Sequence, residues 1–330
     1  MKKILGVFLV MSALILAACG GGDSEKQYLT IATASSGGTY YPIGVGLGNI
    51  WSEKIEGMNA TGQSSAGSVE NIDLLRKDEA DVAILQGLIG AQAIAGKGNF
   101  EGDAYEDLRS ISMLWPNVEH FVLSNDKVET GTISDVEGNS FSVGPQASGT
   151  EQSTLTIMEG VGLTKDDIKP EYLGYDDAIS AMRDGRLDGA STPAGTPVSA
   201  IMDMYASGYK GTVLEVTDEQ LEEINSIYDT WFRFVIPGGT YPKVEEDINT
   251  IAMPNFLGVS AEMDEDTAYE ITKAIYENLE EVQGIHSSAK EVTLETALDG
   301  LPAPLHIGSY KYFKEQDMDI PEALIPPEAK

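Results

Sequence analysis

The 330-residue chain has a single cysteine, Cys19. With that thiol assigned, none remains for a disulfide, a thiolate metal site or a cysteine nucleophile. Histidine is nearly as scarce, with only His120, His286 and His306. The sequence has no His-Glu-x-x-His pair, no Gly-x-Ser-x-Gly elbow and no phosphate loop ending in Gly-Lys-Ser/Thr. Carboxylates abound, yet no pair is singled out by an apolar setting that would raise a pKa for acid catalysis. These absences speak for no cofactor and no metal, and against an enzyme. Basic side chains are also few, 21 Lys and Arg against 53 Asp and Glu, which excludes nucleic acid as a partner. The acids are scattered over expected helix surfaces, as at Glu222, Glu223, Glu245, Glu246, Asp247, Glu280 and Glu281, and read as a solubilising exterior. After the first residues, no apolar run approaches the roughly 20 needed to span a membrane.

What is present starts at the N-terminus. Lys2 and Lys3 precede an apolar run from Ile4 to Ala18, and small Ala17 and Ala18 stand before Cys19. This order of charge, apolar core and small exit residues is that of a secretory signal. Leu16-Ala17-Ala18-Cys19 looks like a bacterial lipobox. That resemblance implies cleavage before Cys19 and acylation of its thiol, with palmitate as the membrane anchor. A signal peptide over 1–18 and a flexible tether over 19–27, rich in glycine at Gly20, Gly21 and Gly22, are therefore expected. The expected address is extracytoplasmic and lipid-anchored, at the outer face of a cell membrane or in a periplasm. Without Lys2 and Lys3, 19 basic residues face 53 acidic ones, a net charge of −34.

A body of about 300 residues favours two domains over one. Strands are predicted over 28–34, 81–85, 119–123, 140–143, 187–191, 212–216 and 251–259, and helices over 42–55, 68–77, 150–159, 176–183, 197–205, 218–227 and 264–282. Such alternation indicates an α/β fold with mostly parallel sheets flanked by helices. Four small polar loops run into helices. In the first, Ser36, Gly37, Gly38, Thr39 and Tyr40 precede Pro42, a residue tolerated in a first helical turn. The second holds Ser65 and Ser68, the third Gln146, Ser148, Gly149 and Thr150, the fourth Thr192, Gly195 and Thr196, with Pro197 placed to start a helix. A helix N-terminus presents free N–H groups and partial positive charge, which suits a carboxylate or phosphate. Capping alone accounts for Ser148 and Glu151, but not for Gly149, Gln146 and Thr150. His306, between Pro304 and Gly308, fits a packing role. Tyr175, Trp231 and Phe232 suit either an aromatic wall or a core.

Five segments carry a family resemblance along most of the chain: Gly37-Gly38-Thr39-Tyr40-Tyr41-Pro42-Ile43-Gly44, Gly67-Ser68-Val69-Glu70-Asn71-Ile72, Ala80-Asp81-Val82-Ala83-Ile84, Ser148-Gly149-Thr150-Glu151 and Asp184-Gly185-Arg186-Leu187-Asp188-Gly189. In order and spacing they resemble the TAXI family of TRAP-transporter solute receptors. The resemblance implies a two-lobed, hinge-connected periplasmic-binding-protein fold of type II, monomeric, that closes over a small anionic solute and delivers it to a TRAP membrane permease subunit. It implies glutamate, glutamine or 2-oxoglutarate as the solute type. It places Ser36, Thr39, Tyr40, Ser65, Ser68, Gln86, Ser148, Thr150, Thr192 and Gly195 on the cleft-facing loops, and the reading of the loops and aromatics adds Gly38, Gln146, Gly149 and Tyr175 as candidates. The lobes are expected over 28–117 plus 256–330 and over 118–255. The family often has Gly-Ser-Gly-Thr where this chain has Gln146-Ala147-Ser148-Gly149-Thr150, and Ile307 stands where proline is usual. No arginine falls in a cleft loop, so hydroxyls and backbone N–H groups at opposed helix ends are expected to hold the carboxylate. A receptor feeding a signalling partner and an extracytoplasmic enzyme are the alternatives from other classes.

Overall fold

The computed structural model describes residues 26–330. Cys19 and the 1–18 signal segment lie outside the described residues. Two sheets organise the fold. In the first, β1 (Gln27–Ala32) pairs in parallel with β2 (Met58–Gln63) and β3 (Val82–Gln86). It is completed by β4 (Leu108–Val118), β10 (Phe232–Ile236) and β11 (Ile248–Ser260), the long β11 running antiparallel to β3, β4 and β10. The second has the order β7 (Lys169–Glu171), β6 (Ser140–Ser142), β8 (Gly189–Ser191), β5 (Phe121–Ser124), β9 (Gly211–Leu214). Here β6 pairs in parallel with β7 and β8, while β5 is antiparallel to β8 and β9. The expected two-sheet α/β architecture is therefore present, with each sheet mixed instead of mostly parallel. β11 follows β10 without an intervening helix, and a strand returning directly without a crossover helix must reverse direction. β10, whose residues fall in the 118–255 stretch, pairs into the first sheet.

Residue alternation explains the layering. Along β5, Phe121 and Leu123 face one cluster with Phe141, Ile157 and Ile224, while Val122 faces another with Ile179, Met182 and Ile201, as the period of two in a strand requires. Helix α1 (Tyr40–Lys54) buries Ile43, Leu47, Ile50 and Trp51 against the first sheet. Gly44 and Gly48 let it lie close, because a Cβ at Gly48 would stand 2.9 Å from Ala60 O.

Several predicted elements shift. The long 264–282 helix is two, Glu265–Glu277 and Leu279–Ile285, broken at Asn278. The Asn278 side chain donates back to Ala274 O at 2.8 Å, and such local bonds compete with a helical backbone. The helix expected from Pro197 begins at Ser199, with Val198 in the cap position and its N–H donated to Tyr241 Oη. Thr196 therefore does not cap it. His306 is buried and does more than pack, since its Nδ1 accepts from Gly308 N–H and caps the helix Ile307–Glu315. Among the described residues no helix is long and apolar enough to cross a membrane.

Candidate functional site

Five helices begin at one cavity between the two sheets. From the first sheet's side come α1, α2 (Ser68–Arg76) and α3 (Gly87–Ala95), and from the second sheet's side α4 (Gly149–Gly160) and α5 (Tyr175–Arg183). The lining is made of their first residues and the residues before them: Gly38, Thr39 and Tyr40; Gly67 and Ser68; Gln86; Ser148, Gly149 and Thr150; Tyr175. Ala34, Ser35, Ala66, Pro145, Pro193 and Ala194 complete it. Only α4 is capped by a side chain, with Ser148 Oγ accepting from Glu151 N–H at 3.0 Å. Thr39, Gly67, Gln86 and Gly174 make no side-chain cap bond. First-turn N–H groups left this way, with the positive helix ends behind them, are groups of the kind that suit an anion. Gly67 has φ +126°, a left-handed conformation that glycine adopts without penalty.

The polar side chains are held from below. Tyr175 Oη lies 2.9 Å from Thr150 Oγ1 and donates to Pro193 O at 2.7 Å. Tyr40 Oη donates to Asn255 Oδ1. Burial pushes both phenols above their ordinary range, so they are neutral donors at any physiological pH. Gln86 donates its backbone N–H to Ser68 Oγ at 3.0 Å, while its own Oε1 is buried without a partner. No lysine or arginine lines the cavity. The Arg233 guanidinium is engaged by Asp218, Val216 O and Thr250 O. Among the described residues no group of three or more metal-ligating side chains is gathered.

The two sides are in contact. Glu70 N–H donates to Ala147 O at 3.2 Å. A Cβ at Gly37 would stand 2.5 Å from the Asp176 carboxylate, and one at Gly149 2.4 Å from Gln86 Oε1. The cavity is partly open to solvent, and its space of about 30 Å³ has room for about two waters. A larger solute enters only if this seam parts.

Of the residues expected at the cleft, Gly38, Thr39, Tyr40, Ser68, Gln86, Ser148, Gly149, Thr150 and Tyr175 are brought together. Ser36 and Gln146 are exposed beside it. Ser65 serves the fold, bonding Asn71 Oδ1 at 2.6 Å and accepting from Gly67 N–H. Thr192 is buried behind the cavity wall, and Gly195 packs against Ser288 and Trp115. Trp231 is buried outside the lining and Phe232 is exposed on β10, so of the three aromatic candidates only Tyr175 lines the cavity. Pro145, Pro193 and Ala194 were missed because nothing in their side chains signals binding; they contribute backbone shape.

A model of the NMT1-like family matches residues 31–316, a span that contains all five helix starts. The chain belongs to the NMT1-like family. Solved structures similar to this NMT1-like chain include a Bordetella bronchiseptica RB50 protein, 14% identical, with TM-score 0.50 over 92% of this chain and 86% of that one. The periplasmic aliphatic sulphonate binding protein SsuA of Escherichia coli is 14% identical, with TM-score 0.44, over 87% of this chain and 78% of its own. A TctC solute binding protein from Polaromonas is 14% identical, with TM-score 0.44, over 82% and 88%. At this identity the likeness concerns the fold alone, two mixed sheets flanked by helices.

Proposed function

We propose that the protein is an extracytoplasmic solute receptor that holds a small carboxylate between its two lobes and delivers it to a TRAP membrane permease. The observation that carries this reading is the convergence of five helix N-termini, from both sheets, on one polar cavity lacking a basic side chain. Backbone N–H groups and the Ser68 hydroxyl would bind the carboxylate oxygens without a guanidinium clamp, in a wall shaped by Tyr40, Thr150 and Tyr175, whose own protons go to Asn255, Tyr175 and Pro193. The lipobox at Cys19 and the five TAXI-like segments support the permease and the lipid anchor. In this proposal the lobes comprise 28–117 with 256–330 and 118–255, and they swing about the β4 and β11 crossings. Binding favours closure only as far as the closed form holds solute better than the open one.

Native mass spectrometry of freshly purified protein tests the reading, with a small carboxylic acid expected to co-purify. L-Glutamate, L-glutamine or 2-oxoglutarate should raise the melting temperature. If only neutral sugars or metal ions raised it, the anion model would be wrong. Small-angle scattering should show compaction at saturating solute.

A further inference from the structure

Glu119 lies where the chain passes from the first sheet to the second. Its N–H donates to Ile251 O and its carbonyl accepts from Thr250 Oγ1. The residue is fully buried. Trp231 Nε1 donates to Oε1 at 3.2 Å and the Ser153 hydroxyl also reaches the carboxyl, but Oε2 has no partner. The local register sets its direction. Val118 pairs antiparallel with Ala194, and Thr192 N–H donates to His120 O, so Glu119 stands across from Pro193. Directly opposed residues share a face; Pro193 lines the cavity, and Glu119 lies directly behind that lining.

The titratable groups facing the carboxyl are the Tyr40 and Tyr175 phenols at the starts of α1 and α5, both cavity residues. His120, next in the chain, turns its ring nitrogens to Val118 O and Tyr241 Oη. No lysine or arginine offsets the charge, and burial pushes the carboxyl up to about 8. A buried acid without a counter-charge is costly unless it takes a proton or a cation. The cavity beside it supplies donors for an anion and, for a cation, only the neutral unpartnered acceptor Gln86 Oε1.

We infer that Glu119 is a specificity-determining residue of the cleft that receives a cationic nitrogen of the solute, making the preferred solute dipolar. The carboxylate end lies at the helix N-termini and an ammonium lies against Glu119 Oε2. This inference rests on the cleft being the solute site. A bound ammonium replaces the proton that Glu119 otherwise carries, so binding at pH 7 releases about 0.9 proton per site. Between pH 6 and pH 8 the ionised fraction of such an acid rises from about 1% to about 50%, so affinity for an ammonium-bearing solute rises about 50-fold. An analogue without the nitrogen gains nothing.

Calorimetry with L-glutamate and 2-oxoglutarate tests this, in two buffers of different ionisation enthalpy at pH 7 and again at pH 6 and 8. L-Glutamate should release about 0.9 proton and bind about 50-fold more tightly at pH 8 than at pH 6, and 2-oxoglutarate should do neither. Glu119→Gln, equal in shape, should abolish the release and bring the two acids to within a few-fold of each other. Binding of both acids with no proton release would overturn the inference and leave the solute-site reading standing, as would a Glu119→Gln protein that keeps the wild-type preference. Binding of neither acid would remove the reading beneath it.

Discussion

Gly149 separates closure from folding. It is the first residue of α4, its backbone is not left-handed, and a methyl group there fits the helix itself. A Cβ would nevertheless stand 2.4 Å from Gln86 Oε1, 2.7 Å from Gln86 Cδ and 3.0 Å from Ser68 Oγ, all on the opposing lobe. Gln86 is buried and its main-chain N–H is tied to Ser68, so its side chain has little room to retreat. Overpacking of a closed contact costs about 1–3 kcal/mol, and because only the closed form bears it, Gly149→Ala should weaken solute binding about 5- to 150-fold. Stability should move the other way, since Gly→Ala at a compatible helical position restricts the unfolded chain and adds about 0.4–1 kcal/mol. Titration calorimetry with L-glutamate and urea unfolding on the same preparation give the two numbers, and scattering should show the variant less compact with solute. Undiminished affinity would refute the argument, because Gly149 and Gln86 would then be apart in the bound form.

Other substitutions separate structure from binding. Ser148→Ala removes the one side-chain cap among the five helix starts and should cost about 1 kcal/mol in urea unfolding. Gly195→Ala would place a Cβ 2.1 Å from Ser288 Oγ and should destabilise by about 1–3 kcal/mol, with binding unchanged once the protein is folded. Burial raises the Asp135 pKa, but hydrogen bonds from Thr130, Gly131 and Glu129 outweigh it and leave the carboxyl below its ordinary value. That stabilisation is full above the unfolded value and is lost as pH falls through the lower folded one. The urea midpoint of Asp135→Asn should therefore depend less on pH than the wild type's between pH 4 and the lower folded-state value.

The elements easiest to recognise in the chain are those with a one-sided pattern. The helix Asp218–Ile227 has the predicted ends because Thr217 and Gln220 cap it reciprocally and its outer face is polar. By contrast, α3 and β4 are buried nearly throughout, and a segment without a polar face shows no period to read. The break at Asn278 depends on one side chain choosing a local carbonyl. At the site, hydroxyls and glycines ahead of helices were visible because helix starts use a small set of residue types. Glu119 was not, being one acid among 53. Its distinction is burial at a strand crossing, which exists only once the two sheets are in place.

The five helix starts have a consequence for how such a pocket changes over generations. Most of the donors offered to a carboxylate belong to the main chain, and no exchange of side chain deletes them. A scan of single substitutions would therefore understate their importance, while side chains around the rim remain free to vary and re-tune which acid is preferred. The anion-holding part is inherited with the path of the backbone, and selectivity can drift across it without the site being lost.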